Sequence, residues 1–229
     1  MSNVHNSPLR TLEDEWLAAF AAGTLSDAKR LVISCHASLR HDVSDRLYQM
    51  DEIGGALLES ADAQSLSDDF VDRFWTNAND NSVGRVEKRA DDFVEASAGD
   101  DRGWMPDALR DHLRRNNIEL QWRFAGPGVR KAAIGETADG ERLYLLRARG
   151  GTEMPEHSHN GEEWTLILQG GYHVGQDGFT VGDLHREDEN CEHQPVVDQG
   201  EECISLVAVE GRLRFGNPLV RALQPLFGV

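Results

Sequence analysis

Residues 151–170 read GTEMPEHSHNGEEWTLILQG, and the reading of the whole chain follows from how this stretch alternates. His157 and His159 stand two residues apart, and on a strand side chains at i and i+2 share a face. Asn160-Gly161 then turns the chain, which brings Glu163 back beside the two imidazoles at the start of the next strand. Two imidazoles and a carboxylate supply nitrogen and oxygen donors for a divalent first-row ion, and His193, in NCEHQPVV, can provide the fourth ligand. Solvated histidines on a polar hairpin produce the same local pattern. A glycine frame surrounds them: Gly151 lies six residues before His157, Gly170 seven after Glu163, and Gly182-Asp183 ends ten residues before His193.

Outward from this stretch the chain consists of short apolar runs separated by turn dipeptides. Strands are predicted at 131–134, 142–149, 164–168, 172–174, 179–181, 203–209 and 212–215, with Asp139-Gly140, Gly150-Gly151, Gly170-Gly171, Gly182-Asp183 and Glu210-Gly211 between them. Strands this short and this evenly spaced specify a sandwich or barrel. The tail, 217–229, carries no clear period. The period before residue 77 is helical. Thr11 caps a helix holding Leu12, Trp16, Ala19 and Phe20 on one stripe, and Gly23 stops it. Thr24, with Asp27 three residues on, caps a second helix whose stripe is Leu25, Ala28, Val32, Cys35 and Leu39. Asp42 or Ser44 opens a third through Leu47, Met50, Ile53 and Leu57, and 67–76 forms a fourth with Phe70, Val71, Phe74 and Trp75 on one side. Such a bundle buries little by itself and is marginal unless a partner completes it. Residues 77–103 are polar and charged, an acidic linker with room for a short helix at 85–96.

Forty Asp and Glu against 23 Lys and Arg give a formal net charge of -17, which repels nucleic-acid backbones and anionic membrane surfaces. No segment approaches the roughly 18 consecutive apolar residues of a membrane span, and the first residues carry no secretory pattern, so a cytoplasmic protein is expected. Cys35, Cys191 and Cys203 form no Cys-x-x-Cys pair and are expected as reduced thiols. Cys191, two residues before His193, reads as a bystander.

The frame around His157, His159, Glu163 and His193 resembles the two motifs of the cupin superfamily, which implies a small antiparallel jelly-roll barrel with those four residues as metal ligands. His173 and His185 fall outside the frame, and of the two only His185 is near enough to support a ligand. The text AAGTLSDAKRLVISCHASLR, then IGGALLE, a linker, MPEHSHNGEE and CEHQP resembles the ChrR-type anti-sigma factors over almost the whole chain. The resemblance implies an α+β protein in which a helical anti-sigma-like domain at 1–76 and a linker at 77–103 precede a cupin metal-binding domain at 104–229. It further implies binding and inhibition of an extracytoplasmic-function sigma factor, with the cupin sensing stress and controlling release. One divalent metal per chain is expected. The resemblance favours zinc, while the donor set also admits iron, manganese or nickel, and the arrangement is compatible with a homodimer through the cupin.

One departure is specific. The family's helical domain binds zinc through two histidines and a Cys-x-x-Cys pair. His36 and His5 match the histidines, but the thiolate positions fall on Arg40 and Val43, so no zinc is expected there. His41 does not replace a thiolate, because five residues on from His36 it lies about 140° around a continuing helix. The alternative function is a metal-dependent cupin enzyme of dioxygenase or isomerase type acting on a small molecule. For that reading Tyr144, Arg147 and Arg149 are the candidates to orient a substrate, by position alone.

Overall fold

The computed structural model describes residues 12–79, 103–137, 140–188, 192–211 and 213–215, without the side chains of residues 78, 79, 159 and 213–215. His5, Thr11, Cys191, the expected helix at 85–96 and the tail lie outside these residues.

Four helices precede the strands: α1 (Asp14–Ala21), α2 (Asp27–Leu39), α3 (His41–Ser60) and α4 (Phe70–Asn79). Helix α1 ends where Gly23 takes a φ of +70°, a left-handed conformation that only glycine adopts without strain. The cap of α2 differs from the expected one. Ser26 accepts a hydrogen bond from the Lys29 backbone N–H at 3.2 Å, while the Thr24 hydroxyl donates back to the Ala19 carbonyl at 3.1 Å and so fastens the preceding turn. A further helix, α5 (Asp107–Arg115), forms where the sequence reading placed only the approach to the strands. It is short, but His112, Arg114 and Arg115 in its last turn complement the helix dipole, and Leu109 and Leu113 are buried.

Among the described residues eleven strands follow: β1 (Arg123–Gly126), β2 (Val129–Glu136), β3 (Arg142–Ala148), β4 (His157–His159), β5 (Glu163–Gln169), β6 (Gly171–Val174), β7 (Asp177–Thr180), β8 (Leu184–Glu187), β9 (Val196–Val197), β10 (Cys203–Val209) and β11 (Leu213–Phe215). They pair antiparallel as a six-stranded sheet in the order β1-β2-β3-β10-β5-β8, a three-stranded sheet β7-β6-β9 and a two-stranded sheet β11-β4. Among the described residues the sheets are cupin-like but do not join into a closed barrel. The glycine frame has a conformational basis: Gly151, Gly170 and Gly182 have φ of +76°, +66° and +86°, and a Cβ on Gly170 would sit 2.5 Å from the Glu202 carbonyl oxygen.

The large sheet has two different faces. On one, Leu145, Trp164, Leu166, Ile204, Leu206 and Ala208 form a continuous core with Leu17, Val32, Ile33, Cys35, Leu109 and Leu113 of α1, α2 and α5. On the other, Ala148, Ile167 and Cys203 pack with Tyr172, Phe179 and Val197 of the three-stranded sheet, while Tyr144, Val207 and Val209 form a separate small cluster. Because the central strands are buried on both faces, β10 is apolar almost throughout. The helices are therefore not a free-standing bundle, since the sheet supplies the burial that the sequence reading assigned to a partner.

The chain divides into two compact units, one made of the residues up to Gly54 together with those from Trp104, the other of 55–103. The division thus falls inside α3 rather than after residue 76. The physical reason is burial: Val43 is the one buried residue of α3, Leu47 and Met50 pack partly against the core, and beyond them Ile53 and Leu57 of the stripe are exposed.

Polar contacts join the helices to the sheet around one lysine. Lys29, 8 % exposed, points its Nζ between Glu162 Oε2 at 3.0 Å and Glu210 Oε1 at 2.6 Å. The same ammonium lies 5.2 Å from the ring centroid of Trp16 and 5.3 Å from that of Trp164, and these two indoles meet edge to face at 4.9 Å. Arg40 makes a second tie, paired through two nitrogens with Asp42 and reaching Asp183 Oδ1 at 3.1 Å.

Candidate metal centre and the cavity beside it

Strand β4 and the 192–195 segment run side by side, with the backbones of His157 and His193 exchanging hydrogen bonds of 3.1 and 3.0 Å. That pairing brings the two buried imidazoles together, Nε2 to Nε2, at 3.1 Å. Their protonation can be worked out from the other ring nitrogens. His157 Nδ1 lies 2.7 Å from the Pro155 carbonyl oxygen, which can only accept, so Nδ1 carries the proton and Nε2 a lone pair. His193 Nδ1 lies 3.4 Å from Glu187 Oε1, and a carboxylate there favours a proton on that nitrogen too. Two lone pairs then face each other, and a cation between them, a proton or a metal ion, turns repulsion into attraction. A tetrahedral ion with Zn–N bonds of about 2.05 Å sets its nitrogens about 3.3 Å apart, close to the separation found.

Glu187 is the residue the sequence reading missed. It also takes His185 Nε2 at 2.5 Å, and His185 Nδ1 is in turn 2.7 Å from the Tyr172 hydroxyl. With Nε2 protonated toward the carboxylate, Nδ1 is the acceptor and Tyr172 the donor. Burial alone would raise the Glu187 pKa, but the hydrogen bonds from His185 and His193 outweigh it and hold the carboxyl well below its usual range. The group is a carboxylate at neutral pH, suited to orient a ligating imidazole. The signal was present in Leu184-His185-Arg186-Glu187, where His185 and Glu187 alternate onto one face. Its meaning depends on β8 pairing with β5, which sets Glu187 opposite Glu163.

Of the four expected ligands, His157 and His193 meet directly. Half-buried Glu163 lines the same cavity, its Oε1 accepting from the Thr165 hydroxyl at 3.1 Å. His159 occupies β4 opposite Leu213, with its side chain outside the described ones. Among the described residues no three such side chains stand at ligating spacing; the His157–His193 pair is the nucleus. A bound divalent ion would be held by that pair with Glu163, and would supply a Lewis-acidic centre at the cavity wall.

The cavity measures about 450 Å³ and is walled by apolar groups, among them Val129, Leu146, Met154 and Val197. Tyr144 lines it, whereas Arg147 is engaged with Glu202 and the Trp122 ring, and Arg149 is exposed. His173 sits in β6 against Asp198 at 3.2 Å, away from the ligand pair's contacts. Burial pushes the thiols of Cys35 and Cys203 up to about 12, so neither is a ready nucleophile.

The positions matching the family's helical zinc site hold no comparable donor set. His36 is fully buried, burial and then Arg40 lower its pKa to about 4, and neither ring nitrogen has a hydrogen-bond partner among the described residues. Arg40 is a cation tied to two carboxylates and Val43 is core. These residues do not fit a zinc ion.

The sequence profile of a family described as the ChrR cupin-like domain matches residues 113–211. The anti-sigma-E factor ChrR of Cereibacter sphaeroides is 34 % identical over 219 residues, covering 95 % of this chain and 97 % of that protein. Among solved structures, the crystal structure of Rhodobacter sphaeroides SigE in complex with the anti-sigma ChrR aligns with a TM-score of 0.69 at 32 % identity, over 88 % of this chain and 98 % of the matched one.

Proposed function

The chain belongs to the family of the anti-sigma factor ChrR, and from that membership we propose that it binds and inhibits an extracytoplasmic-function sigma factor through its helical segments, with the metal-binding cupin governing release. The observation that carries this reading is an apolar surface left exposed among the described residues. In the unit formed by 55–103, Leu57, Leu58, Leu66, Phe70, Val71, Phe74 and Trp75 are exposed, Phe74 by 52 % and Trp75 by 59 %. Phe74 and Trp75 stack edge to face at 5.2 Å, an aromatic cluster of the kind that anchors an interface. Helices α1 and α2, by contrast, have their apolar stripes satisfied by the sheet. An acidic chain also suits a basic partner surface.

The metal's part in this reading is mechanical. An ion held by His157, His193 and Glu163 would join β4, the 192–195 segment and β5, which carries Trp164 of the Lys29 clamp and directly follows Glu162. As a catalyst the site has less to offer: Arg147 and Arg149 are turned to other tasks, and burial raises the Tyr144 phenol far out of the range of a general base. The test is co-expression of the full chain with extracytoplasmic-function sigma factors encoded beside it. A stable complex with one of them, lost in the Phe74→Asp, Trp75→Asp double variant while the protein stays folded, is the expected result. Failure of the parent chain with every such factor would sink the proposal.

A further inference from the structure

The cavity has more room than a metal site needs. About 450 Å³ lies against the reverse face of the strands that carry the helices, and its lining includes Ala125, Pro127, Val129, Leu146, Met154 and Val207. Among the described residues no lysine or arginine lines it; of its two carboxylates Glu163 would go to the metal, and Glu153 remains to disfavour an anion. Polar capacity is confined to a few groups. The clearest is the Tyr144 hydroxyl: the residue is 5 % exposed, lines the cavity, and has no hydrogen-bond partner among the described residues. Its ring is held from one side by Lys131, whose Nζ lies 4.0 Å from the centroid. The Tyr144 oxygen is not among the fully enclosed unpartnered polar atoms, so it opens to the cavity, where an occupant can accept from it. Ser205, also buried and lining the cavity, offers a second hydroxyl on the next strand, opposite Leu146.

We propose that this cavity is a binding site for a small neutral molecule, apolar over most of its length and carrying one oxygen headgroup, a ketone or an alcohol, that accepts a hydrogen bond from Tyr144. The volume falls in the range of sites that enclose small organic ligands, and an apolar wall with one or two placed hydroxyls is the usual division between affinity and orientation. The site needs no sigma factor for its occupancy, so its test is independent of the capture experiment above.

The experiment is isothermal titration of the full chain, as purified with its metal, with the eight-carbon series octanone, octanol, octanoate, octylamine and octane. Octanone and octanol are expected to bind saturably with one molecule per chain, and octanoate and octylamine at least tenfold more weakly. Tyr144→Phe keeps the ring and removes the donor. It should weaken octanone about tenfold while leaving octane unchanged, a difference that general loosening of the fold would not produce. Val207→Phe, which fills the cavity, should abolish binding of all five. Should that variant misfold, the Tyr144→Phe comparison stands alone. Absence of saturable binding by every probe, tightest binding of octanoate or octylamine, or an equal loss of octane and octanone in Tyr144→Phe would each overturn the proposal.

Discussion

Replacing Lys29 with methionine tests how firmly the helices are fastened to the sheet. The substitution keeps an unbranched chain against Trp16 and Trp164 and removes the charge. Three effects set its size. The two carboxylates lose their cation, and breaking a buried ion pair typically costs about 3–5 kcal/mol. Here the figure is smaller, because the side chains of Glu162 and Glu210 are 26 % and 45 % exposed and recover water. Loss of the cation from two indole faces adds about 0.5–1 kcal/mol, and relief of the desolvated ammonium subtracts a comparable amount. The net expectation is about 2 kcal/mol, or a fall in Tm of roughly 4–8 °C for a chain of this size. The pH dependence carries the sign of the pair. Burial lowers the Lys29 pKa, but the hydrogen bonds it donates to Glu210 and Glu162 outweigh it and leave the group raised. The stabilisation is therefore full below the ordinary lysine range and is lost as pH rises through the higher folded value. Urea unfolding followed by tryptophan fluorescence, with the Lys29→Met, Glu162→Gln cycle, measures it. If the single variant unfolds within 0.5 kcal/mol of the parent, an order-of-magnitude bound set by exposed pairs, the clamp is an ordinary surface ion pair and the reasoning fails.

Three further outcomes follow from the buried groups. His157→Ala and His193→Ala should each lose the bound metal by elemental analysis, and stoichiometric metal retained in both would show that the ligand pair is misassigned. His36, lowered by burial to about 4, stays neutral in the folded chain while the unfolded chain takes up a proton near the ordinary value of 6.5. Stability should therefore fall as pH drops from about 6.5 toward 4, by up to about 3 kcal/mol, and the slope over that window should flatten in His36→Leu. Cys35 and Cys203 should resist iodoacetamide at neutral pH in the native protein and react on unfolding, as read by mass spectrometry; fast native labelling of either would contradict its burial.

The fold of the hairpin that carries His157 and Glu163 was legible because everything that defines it is local. Two-residue alternation, a turn dipeptide and glycines at left-handed positions are properties of consecutive residues, and His157 and Glu163 duly line one cavity. Most of the strands were legible for the same reason, but β1, β8 and β9 fell outside the expected runs. What escaped reading depends on contacts between distant segments. Helix α5 has only two buried leucines and no side-chain cap, so its stability comes from the sheet and α2 rather than from its own sequence. Glu187 looks like a solvated acid until β8 is placed in register with β5. The second helix stripe was read correctly and its partner was not, because nothing in Leu25 to Leu39 says that Trp164 and Leu206 will cover it. Ser26 displaced Thr24 as the cap because two adjacent hydroxyls compete within one turn, and propensity does not choose between them.

Strand β5 sets a rule for how this chain can vary. Glu162 and Trp164 face the helices while Glu163 and Thr165 face the cavity, so two tasks are written on alternate letters of one short word. A single-codon insertion or deletion between Gly161 and Leu166 would exchange the letters, sending the metal-side carboxylate to Lys29 and the clamp's indole into the cavity. Substitutions at either set can be repaired separately, but a length change in that segment abolishes both functions at once. Among natural or selected variants, changes of length should therefore collect in the turns on either side of β5 and be missing from the strand itself.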